Sequence, residues 1–211
     1  MTNVLLAGDS TVAVCPADET PMSGWGAHLG APLNRRIAAL CASTVNVLNT
    51  AKGGATTASH RAEGLWDLLM ASVKRNDVVI IQFGHNDQKY ADLPAHGAFR
   101  ENLERFVAEA REAGAWPVLC TPVARRHFVG DRVENSHGEY PDAVRAAAKA
   151  ANVPLIDLTT WSTALYEELG PVESARLFTE RDNTHFNFTG ACVFAEYVAE
   201  CVAPTVLEAL E

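Results

Sequence analysis

Short apolar segments alternate with longer amphipathic segments along the 211-residue chain. The short segments are rich in Val, Ile and Leu, end at Gly, Pro, Asn or Asp, and are continuously apolar rather than alternating in polarity. Such runs are typical of strands that are buried on both faces of a parallel sheet. The predicted strands cover residues 3–7, 44–49, 77–83, 116–122 and 153–158.

Segments with a periodicity near 3.6 residues lie between these strands. In residues 99–114 the apolar side chains fall on one stripe, and Gly114 stands where a helix C-cap would. Further helices are predicted over residues 24–40, 60–73, 139–151, 161–169 and 190–209.

Strands that alternate with helices predict right-handed crossovers and a parallel sheet covered on both faces. We therefore predict a three-layer α/β/α fold with a parallel five-stranded sheet, formed by a single domain over residues 1–211. Residues 123–138 are polar and lack periodicity, so we expect a long loop there.

The composition of the chain indicates which kinds of molecule it is expected to bind. The chain has 17 Lys and Arg against 26 Asp and Glu, a formal charge of −9, and 48% of its residues are hydrophobic. This composition is typical of a globular protein and disfavours binding to nucleic acid or to an anionic membrane surface, which attract basic patches. We expect a small-molecule partner, no nucleic acid and no membrane; the sequence does not predict the oligomeric state.

The N-terminal residues and the cysteines bear on the cellular compartment. The first apolar stretch is only VLLA before Gly8 and Asp9, which is too short for a signal peptide. No apolar run approaches the roughly 18 residues of a membrane-spanning helix. The 5 cysteines include no CxxC pair, as is typical of buried thiols in a reducing compartment. These features predict a cytoplasmic protein.

Polar or glycine-rich motifs follow each of the first four predicted strands, and another precedes the last predicted helix. In parallel α/β sheets ligands bind outside the carboxyl ends of the strands, so we expect all of these motifs at one edge of the sheet. They are GDST at 8–11, NTAKGG at 49–54, GHND at 84–87, TPVARR at 121–126 and RDNTH at 181–185.

These motifs contain the groups that a serine esterase needs. Ester hydrolysis requires a hydroxyl beside a base, a group that orients the base, and donors for the oxyanion. Ser10 supplies a hydroxyl, and the three-residue spacing of Asp182 and His185 lets one turn bring the carboxylate to the imidazole. The backbone amides of Ser10 and Gly54 and the side-chain amide of Asn86 are the candidate oxyanion-hole donors. Each motif alone also fits an ordinary turn, but their conjunction in this order favours the esterase.

The motifs carry a family resemblance. GDST, the glycine at position 54, GHND and DNTH at 182–185 resemble blocks I, II, III and V of the SGNH (GDSL-type) hydrolase superfamily. Other segments resemble its rhamnogalacturonan acetylesterase branch: GWG at 24–26, NTAKGG, TPVARR, HGEYPDAV at 137–144 and VPLIDLT at 153–159. The similarity runs from about residue 3 to residue 200.

The resemblance implies a flavodoxin-like α/β/α fold and removal of acetyl groups from sugar hydroxyls without a cofactor. It implies Ser10 as nucleophile, His185 as base and then acid, and Asp182 as its orienter. It further implies an oxyanion hole formed by Ser10, Gly54 and Asn86. The net charge and the short N-terminal apolar stretch favour small acetylated oligosaccharides over a long pectin polymer.

Several other residues near these motifs could contact substrate. Trp25 could stack on a sugar ring, His85 could line the pocket, and Arg125 could bind a sugar carboxylate; each also fits a structural role. We expect Asp9 to order the Ser10 turn through backbone amides and Asp87 to brace its loop. No HExxH motif or Cys/His cluster predicts a metal site.

Three alternatives remain at this point. An esterase, lysophospholipase or thioesterase for non-sugar acyl groups would use the same fold, although the polar neighbours Lys52, Arg125 and Arg126 favour a polar substrate. A phosphatase using Asp9 would need a second acid at the position of Thr11, and the chain has no GxxxxGK[ST] loop. A catalytically inactive sugar-binding relative would not need the complete set of Ser10, Asp182 and His185.

Overall fold

Two neighbouring strands at the centre of the sheet are buried at every position, which explains their continuously apolar sequences. The computed structural model describes residues 2–211, and the bounds that follow are those of its strands. They are β1 (Asn3–Gly8), β2 (Asn46–Asn49), β3 (Val78–Gln82), β4 (Trp116–Cys120), β5 (Phe128–Val129), β6 (Arg132–Val133) and β7 (Leu155–Ile156).

The main sheet has the strand order β2-β1-β3-β4-β7, and all of its pairings are parallel. The prediction of a five-stranded parallel sheet is therefore confirmed. The last strand is shorter than the predicted 153–158 because the chain turns into a helix at Leu158. The predicted loop at 123–138 contains the two-stranded antiparallel hairpin of β5 and β6, outside the main sheet.

Helices cover both faces of the sheet. Within residues 2–211 they are α1 (Gly30–Ala38), α2 (Thr57–Ala62), α3 (Leu65–Met70), α4 (Arg100–Glu112), α5 (Tyr140–Ala151), α6 (Leu158–Glu173) and α7 (Phe188–Leu210). The single helix predicted over 60–73 is divided into α2 and α3 at Gly64, whose φ of 76° is left-handed and ends the helical path. The helix predicted over 24–40 is likewise two elements, a 3₁₀ turn at Trp25–His28 followed by α1.

The two faces of the sheet belong to separate hydrophobic cores. Alternate residues of β1 point to opposite sides: Val4 and Leu6 lie in the core shared with α1, α6 and α7, whereas Leu5 and Ala7 lie in the core shared with α3, α4 and α5. This arrangement is the three-layer α/β/α architecture that the alternation of elements predicts, and the prediction is confirmed.

Helix α7 is long and apolar enough to cross a membrane by length and composition alone, but more than half of its most apolar window is buried inside the fold. Glu196 and Glu200 divide its sequence, so α7 contains no uninterrupted apolar run of membrane-spanning length. Its buried residues pack against the sheet through the first core. It is a core helix of this fold.

Phe194 and Phe188 of α7 provide a matched test of this packing. Phe194 is fully buried and stacks on Phe186 at 4.3 Å between ring centroids, whereas Phe188 is 64% exposed. We expect Phe194→Ala to lower the free energy of unfolding by about 3–5 kcal/mol, and Phe188→Ala by less than about 1 kcal/mol. Urea denaturation followed by circular dichroism measures both, and similar losses for the two variants would contradict the assignment of α7 to the core.

Candidate active site

Ser10 lies in the turn that follows β1, and the side chain of Asp9 orders that turn. Asp9 Oδ1 accepts hydrogen bonds from the Thr11 amide at 3.0 Å and from the Thr11 hydroxyl at 2.9 Å. The Asp9 carbonyl accepts from the amides of Val12 and Ala13 at 3.1 and 3.0 Å. The prediction that Asp9 orders the turn through backbone amides is confirmed.

A continuous chain of hydrogen bonds joins Ser10, His185 and Asp182. Ser10 Oγ lies 3.0 Å from His185 Nε2, and His185 Nδ1 lies 2.8 Å from Asp182 Oδ2. If Nδ1 donates to the carboxylate, Nε2 is left as the acceptor for the serine hydroxyl. The structure thus brings together, in this order, the three residues that the sequence assigns to nucleophile, base and orienter.

Asp182 is held in place by its own backbone neighbours. Its Oδ1 accepts hydrogen bonds from the amides of Thr184 and His185, both at 2.8 Å. Burial alone would raise the pKa of Asp182, but the hydrogen bonds from the His185 side chain and from these two amides lower it below the ordinary value. The carboxylate is therefore ionised at neutral pH and able to stabilise an imidazolium.

The three candidate oxyanion-hole donors lie in the segments that follow β1, β2 and β3. The backbone amides of Ser10 and Gly54 have no acceptor among residues 2–211, and Gly54 has a φ of 77° that favours glycine. Asn86 donates one amide hydrogen to the Ala55 carbonyl at 3.1 Å and accepts from Lys89 Nζ at 2.7 Å. These two contacts fix which end of the Asn86 amide is nitrogen, so its second hydrogen is free for an oxyanion.

His85 does not lie where a substrate could bind it. The ring is 3% exposed, with Nδ1 at 3.0 Å from Asp9 Oδ2 and Nε2 at 2.9 Å from the Val123 carbonyl. Burial alone would raise the pKa of Asp9, but His85 and Thr11 hold it below its ordinary value. The expectation of substrate contact by His85 is wrong, because both ring nitrogens are already bonded inside the protein.

Arg125 braces loops beside this pair. Its Nη2 donates to the His85 carbonyl at 3.0 Å, and its Nη1 lies 3.3 Å from the Ser136 carbonyl and from His137 Nδ1. Burial, with His85 and Arg125 nearby, lowers the pKa of His137 to about 3, so its ring is neutral. The guanidinium is therefore committed to the protein, and the expectation that it binds a sugar carboxylate is not supported.

Trp25 is fully buried, and its indole Nε1 donates to Gln82 Oε1 at 2.9 Å. Gln82 in turn donates to Thr11 Oγ1 at 2.6 Å. A buried indole cannot stack on a sugar, so the expectation of substrate contact by Trp25 is wrong. Its role is to support the Ser10 turn from below.

The glycines on either side of Trp25 pack against the same turn. A Cβ at Gly24 would lie 2.5 Å from the Ala13 carbonyl oxygen, and one at Gly26 would collide with the Val12 carbonyl oxygen. The GWG segment therefore packs closely against the Ser10 turn and supports it.

A cavity of about 260 Å³ opens beside Ser10 and is lined by the segments 13–16 and 51–53 together with Glu19 and Met22. A second cavity, of about 540 Å³, shares Glu19 and Met22 with it and reaches Phe178 and Arg181. Among residues 2–211, no group of three or more His, Cys, Asp or Glu side chains is arranged to hold a metal ion.

Sequence reasoning missed two residues that shape this site. Lys89 orients the Asn86 amide, and its spacing of three from Asn86 in a turn-forming segment was the available signal. Gln82 links Trp25 to the nucleophile turn, and a lone amide at the end of an apolar strand was the signal for it.

Comparison with known proteins gives consistent matches. The model of the GDSL-like Lipase/Acylhydrolase family matches residues 6–191. The chain is 44% identical over 211 residues to the rhamnogalacturonan acetylesterase RhgT of Bacillus subtilis, covering 93% of this chain and 88% of the relative. It is 34% identical over 208 residues to the probable rhamnogalacturonan acetylesterase YesY of Bacillus subtilis, covering 94% and 91%. The solved structure of protein YxiM from Bacillus subtilis matches with a TM-score of 0.85 at 25% identity, covering 96% of this chain and 56% of that one.

Substitutions at Gly26 and Gly30 provide a matched test of whether the packing of Gly26 stabilises the Ser10 turn. A Cβ at Gly26 would collide with backbone, whereas at Gly30 the nearest atom is 3.8 Å away. We expect Gly26→Ala to lower the free energy of unfolding by about 1–3 kcal/mol and Gly30→Ala to change it by less than about 0.5 kcal/mol. Chemical denaturation checks both values; equal stability of the two variants would show that the turn does not rest on Gly26.

Proposed function

The chain belongs to the GDSL-like lipase/acylhydrolase family, and we propose that it is a serine esterase that removes acetyl groups from rhamnogalacturonan-like oligosaccharides. The observation that carries the proposal is the hydrogen-bonded chain from Ser10 Oγ through His185 to Asp182. The acetyl and sugar specificity is inferred from the relatives named rhamnogalacturonan acetylesterase, of which RhgT is 44% identical.

Acylation begins with Ser10 Oγ attacking the ester carbonyl carbon. His185 Nε2, at 3.0 Å from Oγ, takes the hydroxyl proton, and the ionised Asp182 stabilises the imidazolium that forms. The carbonyl oxygen becomes the oxyanion and receives hydrogen bonds from the amides of Ser10 and Gly54 and from Asn86 Nδ2. One such donor is typically worth about 2.7–4 kcal/mol of transition-state stabilisation.

Collapse of the tetrahedral intermediate expels the sugar alkoxide, which takes the proton from His185 Nε2 and leaves the acetyl group on Ser10 Oγ. A water molecule then attacks the acyl carbon, with its proton passing to the same nitrogen. The second tetrahedral intermediate uses the same donors. Its collapse releases acetate and returns the proton to Ser10.

The cavity beside Ser10 has room for an acetyl ester of a sugar. Its volume is about 260 Å³, and it shares Glu19 and Met22 with the second cavity of about 540 Å³. Its lining includes the charged residues Lys52 and Glu19, which favour a polar alcohol over a lipid.

The formal charge of −9 bears on the length of the substrate. A long polygalacturonate carries many carboxylates and would be repelled by the field of the protein, whereas a short acetylated oligosaccharide carries only a few. We therefore include short oligosaccharides, and not the polymer, in the proposal.

The substrate class is tested with acetylated rhamnogalacturonan oligomers, acetyl-xylan oligomers and p-nitrophenyl esters of rising acyl length. We expect acetate release to be fastest from the rhamnogalacturonan oligomers and the p-nitrophenyl series to fall off beyond acetate. Ser10→Ala should reduce kcat by at least about 10⁴-fold because it removes the nucleophile. Ser72→Ala, on an exposed serine outside the site, is the matched control.

Two outcomes would contradict this proposal. Wild-type activity in Ser10→Ala on every ester would remove the nucleophile assignment. Faster hydrolysis of long acyl chains than of acetate would favour the esterase or lysophospholipase alternative.

The pH dependence follows from the protonation state of His185. The imidazole must be neutral to accept the Ser10 proton, so kcat/KM should fall on acidification. The pKa of Asp182 is lowered, so this carboxylate remains ionised and does not cause the loss. A kcat/KM that is equal at pH 8 and at pH 5 would exclude His185 as the base.

A further inference from the structure

Asp87 is a fully buried carboxylate directly after Asn86 in the loop that follows β3. Its Oδ1 accepts hydrogen bonds from the Thr57 amide at 2.8 Å and from the Thr57 hydroxyl at 2.7 Å. Its Oδ2 is buried and has no hydrogen-bond partner among residues 2–211. Burying a charge with one unpaired oxygen is costly, so this arrangement calls for an explanation beyond simple packing.

Thr57 connects this carboxylate to the Gly54 loop. It is the first residue of α2, three positions after Gly54, and Thr56 before it forms a capping box with Ser59. Asn86 donates to the Ala55 carbonyl in the same loop. Two consecutive residues, Asn86 and Asp87, therefore hold two points of the segment that carries the Gly54 amide.

Asp77, a buried carboxylate at the opposite edge of the sheet, shows what a purely structural aspartate looks like in this protein. Its Oδ1 accepts from the Asn3 amide at 2.7 Å, and its Oδ2 accepts from the Lys74 amide at 2.8 Å. Both oxygens are thus bonded. Asp87 uses one oxygen only and directs it entirely at Thr57, with hydrogen bonds that are strongest when the carboxyl is ionised.

We propose that Asp87 is a positioning residue that sets the oxyanion hole, by clamping the Gly54 loop to the loop of Asn86 through Thr57. The inference rests on the proposed function, because it concerns the donors of that site. Asp87 acts through Thr57 and Asn86 and does not itself touch the substrate.

The clamp depends on the charge of Asp87. Burial, with a further contribution from the negative charge of Asp9, raises the pKa of Asp87 to about 6 although the Thr57 hydrogen bonds oppose this. The carboxylate is therefore ionised above about pH 6, where the clamp is intact, and becomes protonated below it, where the acceptor at Oδ1 weakens.

The groups packed around Asp87 leave it without a cationic partner. Tyr140 of α5 is titratable, and its own pKa is raised by burial and by the charge of Asp87. Asn102 of α4 donates to Thr57 Oγ1 at 3.1 Å and is neutral. The neighbouring Lys89 donates to Asn86 Oδ1 and His85 is hydrogen-bonded to Asp9, so both have other partners within the described part of the chain.

The test is the ratio of kcat/KM for the wild type to kcat/KM for Asp87→Asn on an acetyl ester, measured from pH 8 to pH 5. Every other ionisation is common to the two proteins, so we expect this ratio to be largest at pH 8 and to fall toward one as Asp87 of the wild type becomes protonated below about pH 6. At pH 8, Asp87→Asn should have a kcat about 10- to 100-fold below wild type with KM within about twofold, because the donors and not the substrate contacts are displaced. Asp77→Asn is the matched control and should keep the wild-type pH profile and kcat.

Variants of Thr57 test the same proposal independently if Asp87→Asn does not fold. Thr57→Val removes the hydroxyl donor and retains the shape, and we expect kcat to fall roughly tenfold. Thr57→Ser retains the hydroxyl and should restore most of that loss.

A ratio of wild type to Asp87→Asn that stays constant from pH 8 to pH 5 would overturn the inference. So would a kcat for Asp87→Asn within about twofold of wild type at pH 8. Neither outcome affects the proposed esterase, which depends instead on the loss of activity in Ser10→Ala.

Discussion

A sheet whose central strands are buried on both faces has room for polar groups only where the strands end, and the whole site depends on this constraint. Because β1, β2 and β3 run parallel, their carboxyl ends meet at one edge and deliver Ser10, Gly54 and Asn86 there. The two cores hold the strands in register from opposite sides. The positions of these three residues are thus set by apolar packing several residues away from them.

The sequence predicted the parts of the fold that are governed by local periodicity and burial. The parallel five-stranded sheet and the long helices follow from runs such as 78–82 and stripes such as that of α4. What it missed depends on single residues or on tertiary contacts. The left-handed Gly64 divides one predicted helix into two, and the hairpin of β5 and β6 is too short to produce an alternating pattern.

The same distinction applies to the site. Ser10, Asp182 and His185 could be identified because their chemistry and spacing are visible in the chain, and the structure brings them within hydrogen-bond distance. The roles of Trp25 and His85 could not be identified from the sequence. The sequence around an indole or imidazole side chain near such a motif does not show whether that side chain faces solvent or is buried beneath the turn. Only the tertiary hydrogen bonds decide between the two cases.

The sequence separations between the hydrogen-bonded residues Asp182, His185 and Ser10 have a consequence for folding. Asp182 and His185 are three positions apart and can pair within one local turn, whereas Ser10 and His185 are 175 positions apart. Closing so long a loop requires the N-terminal strand and the segment before the final helix to be docked on the same sheet edge. Recovery of catalytic turnover during refolding would therefore report the moment at which the two ends of the chain come together, later than any signal from helix formation alone.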